Sequence, residues 1–169
     1  MRCDWLGALA AALLTGCSAG SALAPGSSTE ADVRAVMGKP VETRRGADGE
    51  TVLWYSREVP DSAYGRGNYA ARIAPDGRLI SLEQRLSDAN IAKLPPDASS
   101  AEDVRDLLGP PHRSYRLPGE EREVWEYQLE GVQRPLTLYV RLSSDQIVRE
   151  VFMLERRGAA SRAQHHDKR

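Results

Sequence analysis

Pro25-Gly26-Ser27-Ser28-Thr29-Glu30-Ala31-Asp32-Val33-Arg34-Ala35-Val36-Met37-Gly38-Lys39-Pro40 is matched, 71 positions later, by Pro96-Asp97-Ala98-Ser99-Ser100-Ala101-Glu102-Asp103-Val104-Arg105-Asp106-Leu107-Leu108-Gly109-Pro110-Pro111. The same shift carries Arg45 onto Arg116 and Trp54 onto Trp125. One register held over roughly thirty residues marks two structural repeats.

Each copy predicts a short helix with both ends written in side chains, over 29–37 and 100–108. Thr29 or Ser28, and Ser99 or Ser100, are placed to accept from the free N–H groups of the first turn. Asp32, Glu102 and Asp103 put negative charge at the positive end of the helix dipole. Val33, Val36 and Met37, like Val104, Leu107 and Leu108, recur at i, i+3, i+4 as one apolar stripe. Gly38 and Gly109 favour the left-handed residue that closes a helix, and Pro40 and Pro111 prevent its continuation.

Beyond each helix the apolar period changes to two. Leu136, Leu138, Val140 and Leu142 alternate with Thr137, Tyr139 and Arg141; Trp125, Tyr127 and Leu129 alternate with Glu126 and Gln128; Ile80 and Leu82 alternate with Ser81 and Glu83. Such strands have one buried and one wet face. The expected strands are 50–58, 69–74 and 78–86, then 122–130, 135–143 and 146–154, with turns at Asp76-Gly77 and Ser143-Ser144-Asp145. Ser87 to Leu94 adds a helical turn before Pro95-Pro96.

The expected fold class is therefore α+β: tandem helix-plus-three-stranded antiparallel sheet repeats, 29–86 and 87–155, with the helices packed on one face of the sheet. A repeat of about 70 residues buries little apolar surface by itself. One cooperative six-stranded unit is expected, two independent beads being the alternative.

Before the first repeat, the apolar run Leu6 to Leu14 ends in Leu14-Thr15-Gly16-Cys17, which resembles a bacterial lipoprotein signal peptide. The resemblance implies cleavage after residue 16, acylation of Cys17, and a membrane anchor facing the cell envelope. The run is too short to cross a bilayer, which takes about 20 apolar residues. Ser18 after the lipidated position resembles an outer-membrane address. Residues 17–28, rich in Ser, Ala and Gly, read as a tether, and 156–169 as a disordered basic tail.

The chain has two cysteines, Cys3 in the signal and Cys17 at the anchor, so the mature protein is expected without a disulfide or a nucleophilic thiol. A formal net charge of -1 provides no global footprint for nucleic acid. No catalytic constellation is found: no nucleophile elbow, no phosphate-binding glycine loop and no metal-spaced cluster. His112 is the lone candidate base outside the tail, best read as a polar loop residue, and Glu120, Glu121 and Glu123, interleaved with Arg122, read as a solvated hairpin edge. No enzyme, cofactor, metal or small-molecule substrate is expected.

Pro25-Gly26-Ser27, Asp32-Val33, Gly38-Lys39-Pro40 and Trp54-Tyr55 together resemble the BamE (SmpA/OmlA) domain family. Asp103-Val104, Gly109-Pro110-Pro111 and Trp125 repeat the pattern, preceded by Asp88-Ala89-Asn90-Ile91. The resemblance implies a small helix-on-sheet fold, an outer-membrane lipid anchor with the domain on the periplasmic side, and a role alongside the machinery that inserts β-barrel proteins. That family carries one such domain and this chain two. A tandem pair resembles the β-lactamase inhibitory protein architecture, whose sheet covers an enzyme.

The functional expectation is a lipid-anchored protein-interaction module, in outer membrane protein assembly or envelope maintenance, whose partners are the membrane through Cys17 and an envelope or outer membrane protein. The alternative is an envelope inhibitor that holds an enzyme on its sheet face. Tyr64, Arg66 and Tyr69, on a glycine-loosened connection, are the candidate partner-binding residues, since Tyr and Arg supply much of the energy in protein interfaces. The open sheet face around Glu126, Gln128, Tyr139 and Arg141 is the next candidate.

Overall fold

The computed structural model describes residues 23–58, 65–129 and 136–155. In chain order these form helix α1 (Glu30–Met37), strands β1 (Glu42–Arg45), β2 (Thr51–Glu58), β3 (Arg66–Ile73) and β4 (Leu79–Gln84), helices α2 (Asp88–Ile91) and α3 (Ala101–Leu108), and strands β5 (Arg113–Arg116), β6 (Glu123–Leu129), β7 (Leu136–Leu142) and β8 (Val148–Glu155). A 3-10 turn, Ala47–Gly49, joins β1 to β2. The strands make two separate antiparallel sheets, β1-β2-β3-β4 and β5-β6-β7-β8.

This architecture overturns the expected α+β fold of tandem helix-plus-three-stranded repeats sharing one sheet. Each half has four strands, the helices are few and short, and no strand of one sheet pairs with the other. The missed strands are β1, Glu-Thr-Arg-Arg, and β5, Arg-Ser-Tyr-Arg. Four residues with no apolar alternation give no period-two signal; they pair as polar sheet edges, which discourage further strand addition. The helices are not confined to one side either, because α3 is packed between the two sheets.

The helix limits follow the local chemistry. Thr29 and Asp32 form a reciprocal capping box, as do Ser100 and Asp103. In each, the backbone N–H of the cap donates to the Asp carboxylate, at 2.8 Å for Asp32 and 2.7 Å for Asp103. Those bonds favour the ionised form and hold both carboxyls below the usual Asp range: the backbone N–H of Thr29 chiefly for Asp32, the Ser100 hydroxyl chiefly for Asp103. Gly38 and Gly109 close the helices with φ of 77° and 82°. Each helix start is tied by a bridge to the residue just before its own sheet's last strand, Thr29 to Arg78 and Ser100 to Ile147.

Register separates the two halves in a way that the sequence shift hides. Arg45 lies opposite Thr51 in the first sheet, whereas Arg116 lies opposite Glu123 in the second. The second hairpin is thus one residue longer, so Leu53 is the counterpart of Trp125, and Trp54 that of Glu126. A slip of one residue moves a side chain to the opposite face. Trp125 accordingly packs in its own half's core with Tyr127, Leu138, Val140, Val104 and Leu108. In the first half Leu53 and Tyr55 face that half's core with Val33, Ala71, Ile73 and Leu79, and Trp54 points the other way.

The first sheet is therefore used on both faces, and Trp54 remains 3% exposed because α3 covers it. Gly109 at the end of α3 sits against the Trp54 ring so closely that a Cβ there would lie 2.5 Å from it. Val104 and Leu108 face the second sheet. On the other side of α3, Glu102 and Asp106 engage Arg44, and Arg105 reaches Glu42 at 2.7 Å. These pairs are partly exposed, each contributing about 1 kcal/mol, so the buried ring sets the docking strength and the charges set its register.

Candidate interaction surface

His112 follows the Pro110-Pro111 stop of α3 and lies where the halves meet. The backbone N–H of Gln128 donates to its Nδ1 at 2.8 Å, and its Nε2 is 3.0 Å from Asn68 Oδ1. A backbone N–H only donates, so Nδ1 is the acceptor and Nε2 carries the proton. The Asn68 amide donates in turn to the Leu108 and Pro110 carbonyls, at 2.8 and 3.0 Å. Burial, with the Arg66 charge adding to it, lowers the His112 pKa to about 4. Both ring nitrogens are engaged in joining the halves, so the lone candidate base is built into a clasp.

The candidate binding residues are not brought together by the fold. Cys17 and Tyr64 lie outside the described residues. Arg66 opens β3 opposite Glu58, and Tyr69 lies further along the same strand opposite Tyr55. Because side chains alternate along a strand, these two residues face opposite sides of the sheet. Tyr69 packs on the first half's core, with its ring over Gly67, where a Cβ would come within 2.8 Å. Arg66 is on the side of Asn68 and the second half. They do not form one patch, and the strand begins earlier than the expected residue 69.

A continuous polar and aromatic surface is found on the outer face of the second sheet. The cross-strand row Arg113, Glu126, Tyr139, Phe152 lies beside the row Tyr115, Val124, Arg141, Glu150 and the row Gln128, Thr137, Leu154, of which Val124 and Thr137 are themselves buried. Tyr139 and Phe152 stack with ring centroids 5.3 Å apart, Arg141 lies over Phe152 at 5.2 Å, and Arg113 lies over Tyr115 at 5.2 Å. Arg141 also binds Glu150 at 3.0 Å. A groove of about 430 Å³ opens between His112, Arg113, Glu126, Gln128, Thr137 and Tyr139. Burial, followed by a hydrogen bond to Glu126, pushes the Tyr115 hydroxyl above the usual phenol range, so it is a neutral donor at any physiological pH.

Sequence reasoning placed Glu126, Gln128, Tyr139 and Arg141 on one face but missed Arg113, Tyr115 and Phe152. The first two sit on the unrecognised edge strand β5. Phe152 alternates with apolar residues on both sides, Val151 and Met153, so its strand shows no period of two.

A second concavity, about 330 Å³, lies between the halves and is lined by Arg44, Arg72, Arg85, Glu50, Glu83 and Asp106 around Val52, Trp54 and Ala70. Its charges pair with one another, Arg72 with Glu50 at 2.6 Å and Arg85 with Glu83 at 2.9 Å. Glu120, Glu121 and Arg122 line a shallow depression with Ser143 and Ser144. Among the described residues, no group of three His, Cys, Asp or Glu side chains is placed to hold a metal ion, and no helix is long and apolar enough to cross a membrane.

No family model matches the chain, and comparison with curated proteins gives no match. Among solved structures, the chain is similar to a DUF4309 family protein, YjgB, from Bacillus subtilis subsp. subtilis str. 168, with 19% identity, 79% of this chain and 82% of that chain covered, and a TM-score of 0.31.

Proposed function

We propose that the protein is an outer-membrane lipoprotein, anchored through Cys17 with its folded part in the periplasm, that works by binding protein and not by turnover. The observation that carries this reading is the outer face of the second sheet. Tyr115, Tyr139 and Phe152 are held there by stacking and by Arg113 and Arg141, so contact area is presented without a large loss of side-chain entropy on binding. The lipobox supports the location, and the resemblance to the BamE family supports a place in outer membrane protein assembly or envelope maintenance. The proposal includes no cofactor, nucleic acid or small-molecule substrate. A second reading, an inhibitor that covers an envelope enzyme, is favoured by the same feature, since aromatics concentrated on a wet sheet face fit a broad protein epitope.

The test combines location and surface. Wild type is expected in the outer-membrane fraction with an acyl mass shift, and Cys17→Ser in the unprocessed or soluble fraction. A photoreactive phenylalanine analogue in place of Tyr139 is expected to cross-link to protein in intact cells, while one at the exposed Asp76 is not. Unchanged fractionation of Cys17→Ser overturns the anchor, and equal or absent cross-linking at the two positions overturns the surface.

A further inference from the structure

The contact that joins the two halves supplies a template for the two free ends of the molecule. Inside the chain, the outward side of α3 lies on the inner face of the first sheet through Glu102, Arg105, Asp106, Gly109 and, just beyond the helix, His112. The capping boxes and closing glycines align α1 with α3 without a gap, so the α1 counterparts are Ala31, Arg34, Ala35, Gly38 and Val41. All five are exposed. Val36, the counterpart of Leu107, is 54% exposed and Val41 59%, although the spacing of Val36 reads as part of the buried stripe. At the opposite end, the counterparts of the covered row Glu42, Trp54, Ala70, Glu83 are Arg113, Glu126, Tyr139 and Phe152, on a face that no helix or strand among the described residues covers. Leu154 at the margin of that face is also 54% exposed.

The sizes at the two ends are complementary in the opposite sense to the internal contact. There, long charged side chains of α3 extend over a sheet whose β3 residue is the small Ala70. At the ends, the helix offers Ala31 and Ala35, and the sheet offers the Tyr139–Phe152 stack. Arg34, which within its own helix pairs with Glu30 at 2.8 Å, takes the place of Arg105; the residue matching Glu42 is Arg113, but its guanidinium is turned along the strand over Tyr115, and Glu126, next in the row, presents a carboxylate that Tyr115 also hydrogen-bonds. Small against large, with one cation facing one carboxylate, makes the free helix face a fit for the free sheet face.

We infer that a second copy of this chain docks its α1 on the outer face of the second sheet, repeating between molecules the contact that α3 makes within one. This rests on the reading of that face as a protein-binding surface and names its partner. The contact is heterologous: the helix end of one copy meets the sheet end of the next, leaving both remaining ends free for further copies. On a membrane, lipid anchors confine the copies to one plane and raise their effective concentration.

The decisive experiment uses the mature chain carrying Cys17→Ser, followed by sedimentation velocity across concentration. This protein is expected to form a series of species that lengthens with concentration. Ala35→Arg blocks the helix end and Tyr139→Asp the sheet end; each alone is expected to be monomeric, with self-association weakened at least about tenfold. Mixing the two is expected to restore a dimer that grows no further, because each variant keeps one working end. Circular dichroism of each variant checks folding, and Val36→Asp is a second helix-end block. Ala35→Cys and Phe152→Cys in separate chains, which then hold no other cysteine, are expected to form an intermolecular disulfide. A chain that stays monomeric throughout, or a mixture that gives no dimer, overturns the inference. If Tyr139 then cross-links in cells to a different protein, the binding surface stands and only self-association is rejected; if it cross-links to nothing, both fall.

Discussion

The two sheets of this protein are near copies in connectivity, yet among the described residues the first is covered on both faces and the second on one. The difference originates in one added residue between β5 and β6. It places Trp125 in the core of its own half and leaves Trp54 on the face toward the other, so two tryptophans aligned in sequence do unlike things in space. In a duplicated fold, hairpin length decides which face of the sheet an aligned residue occupies.

The largest expected effects come from breaking that distinction at the rings. Trp125→Ala should cost about 3 to 5 kcal/mol of global stability in urea unfolding, since it empties a core site. Trp54→Ala should cost a similar amount but in a different manner: the seam under α3 opens, and the denaturant slope should fall as the halves unfold in separate steps. A single unchanged two-state transition for Trp54→Ala would show that the seam does not couple the halves.

Glycine at the two helix ends sharpens the comparison at a smaller scale. Gly109→Ala introduces a Cβ 2.5 Å from the Trp54 ring as well as backbone strain at φ +82°, and is expected to cost about 3 kcal/mol. Gly38→Ala meets only Arg57 at 3.9 Å, so about 1 kcal/mol of backbone strain remains. Thermal unfolding of the pair checks this, and equal losses would mean that the ring contact adds nothing.

The effect that vanishes at neutral pH is that of the clasp. The His112 ring takes up its proton near 6.5 when unfolded and near 4 when folded, so between those values the unfolded chain binds more protons. Stability is full above about pH 6.5 and declines as pH falls toward 4, by on the order of 2 kcal/mol after allowance for partial exposure of the ring. The counterpart of His112 in the first half is Val41, so this term belongs to the seam alone. His112→Gln, which does not ionise, is expected to lose the extra slope in unfolding measured from pH 7 to pH 4.

The legible parts of this fold were those settled by neighbours in the chain. Thr29 with Asp32, Ser100 with Asp103 and the glycines at 38 and 109 mark helix ends because capping bonds span only three or four residues. The alternation in β6 and β7 placed Glu126, Gln128, Tyr139 and Arg141 on one face. Strands β1 and β5 escaped notice because four polar edge residues carry no apolar pattern. Arg66 and Tyr69 were grouped by nearness in sequence, and strand alternation separates them.

The sequence by itself determined where the helices start and stop, which half-cores form around Val33 and Val104, and the lipobox that directs the reading of location. Those are short-range bonds and periodic apolar burial, and each is visible in a window of a few residues. Only the tertiary structure decided that there are two sheets and not one, that Trp54 faces the neighbouring half, that His112 is a clasp, and that, among the described residues, the second sheet's outer face and the outward side of α1 are left open. These depend on register and on what packs against each face, which is set by residues far apart in the chain.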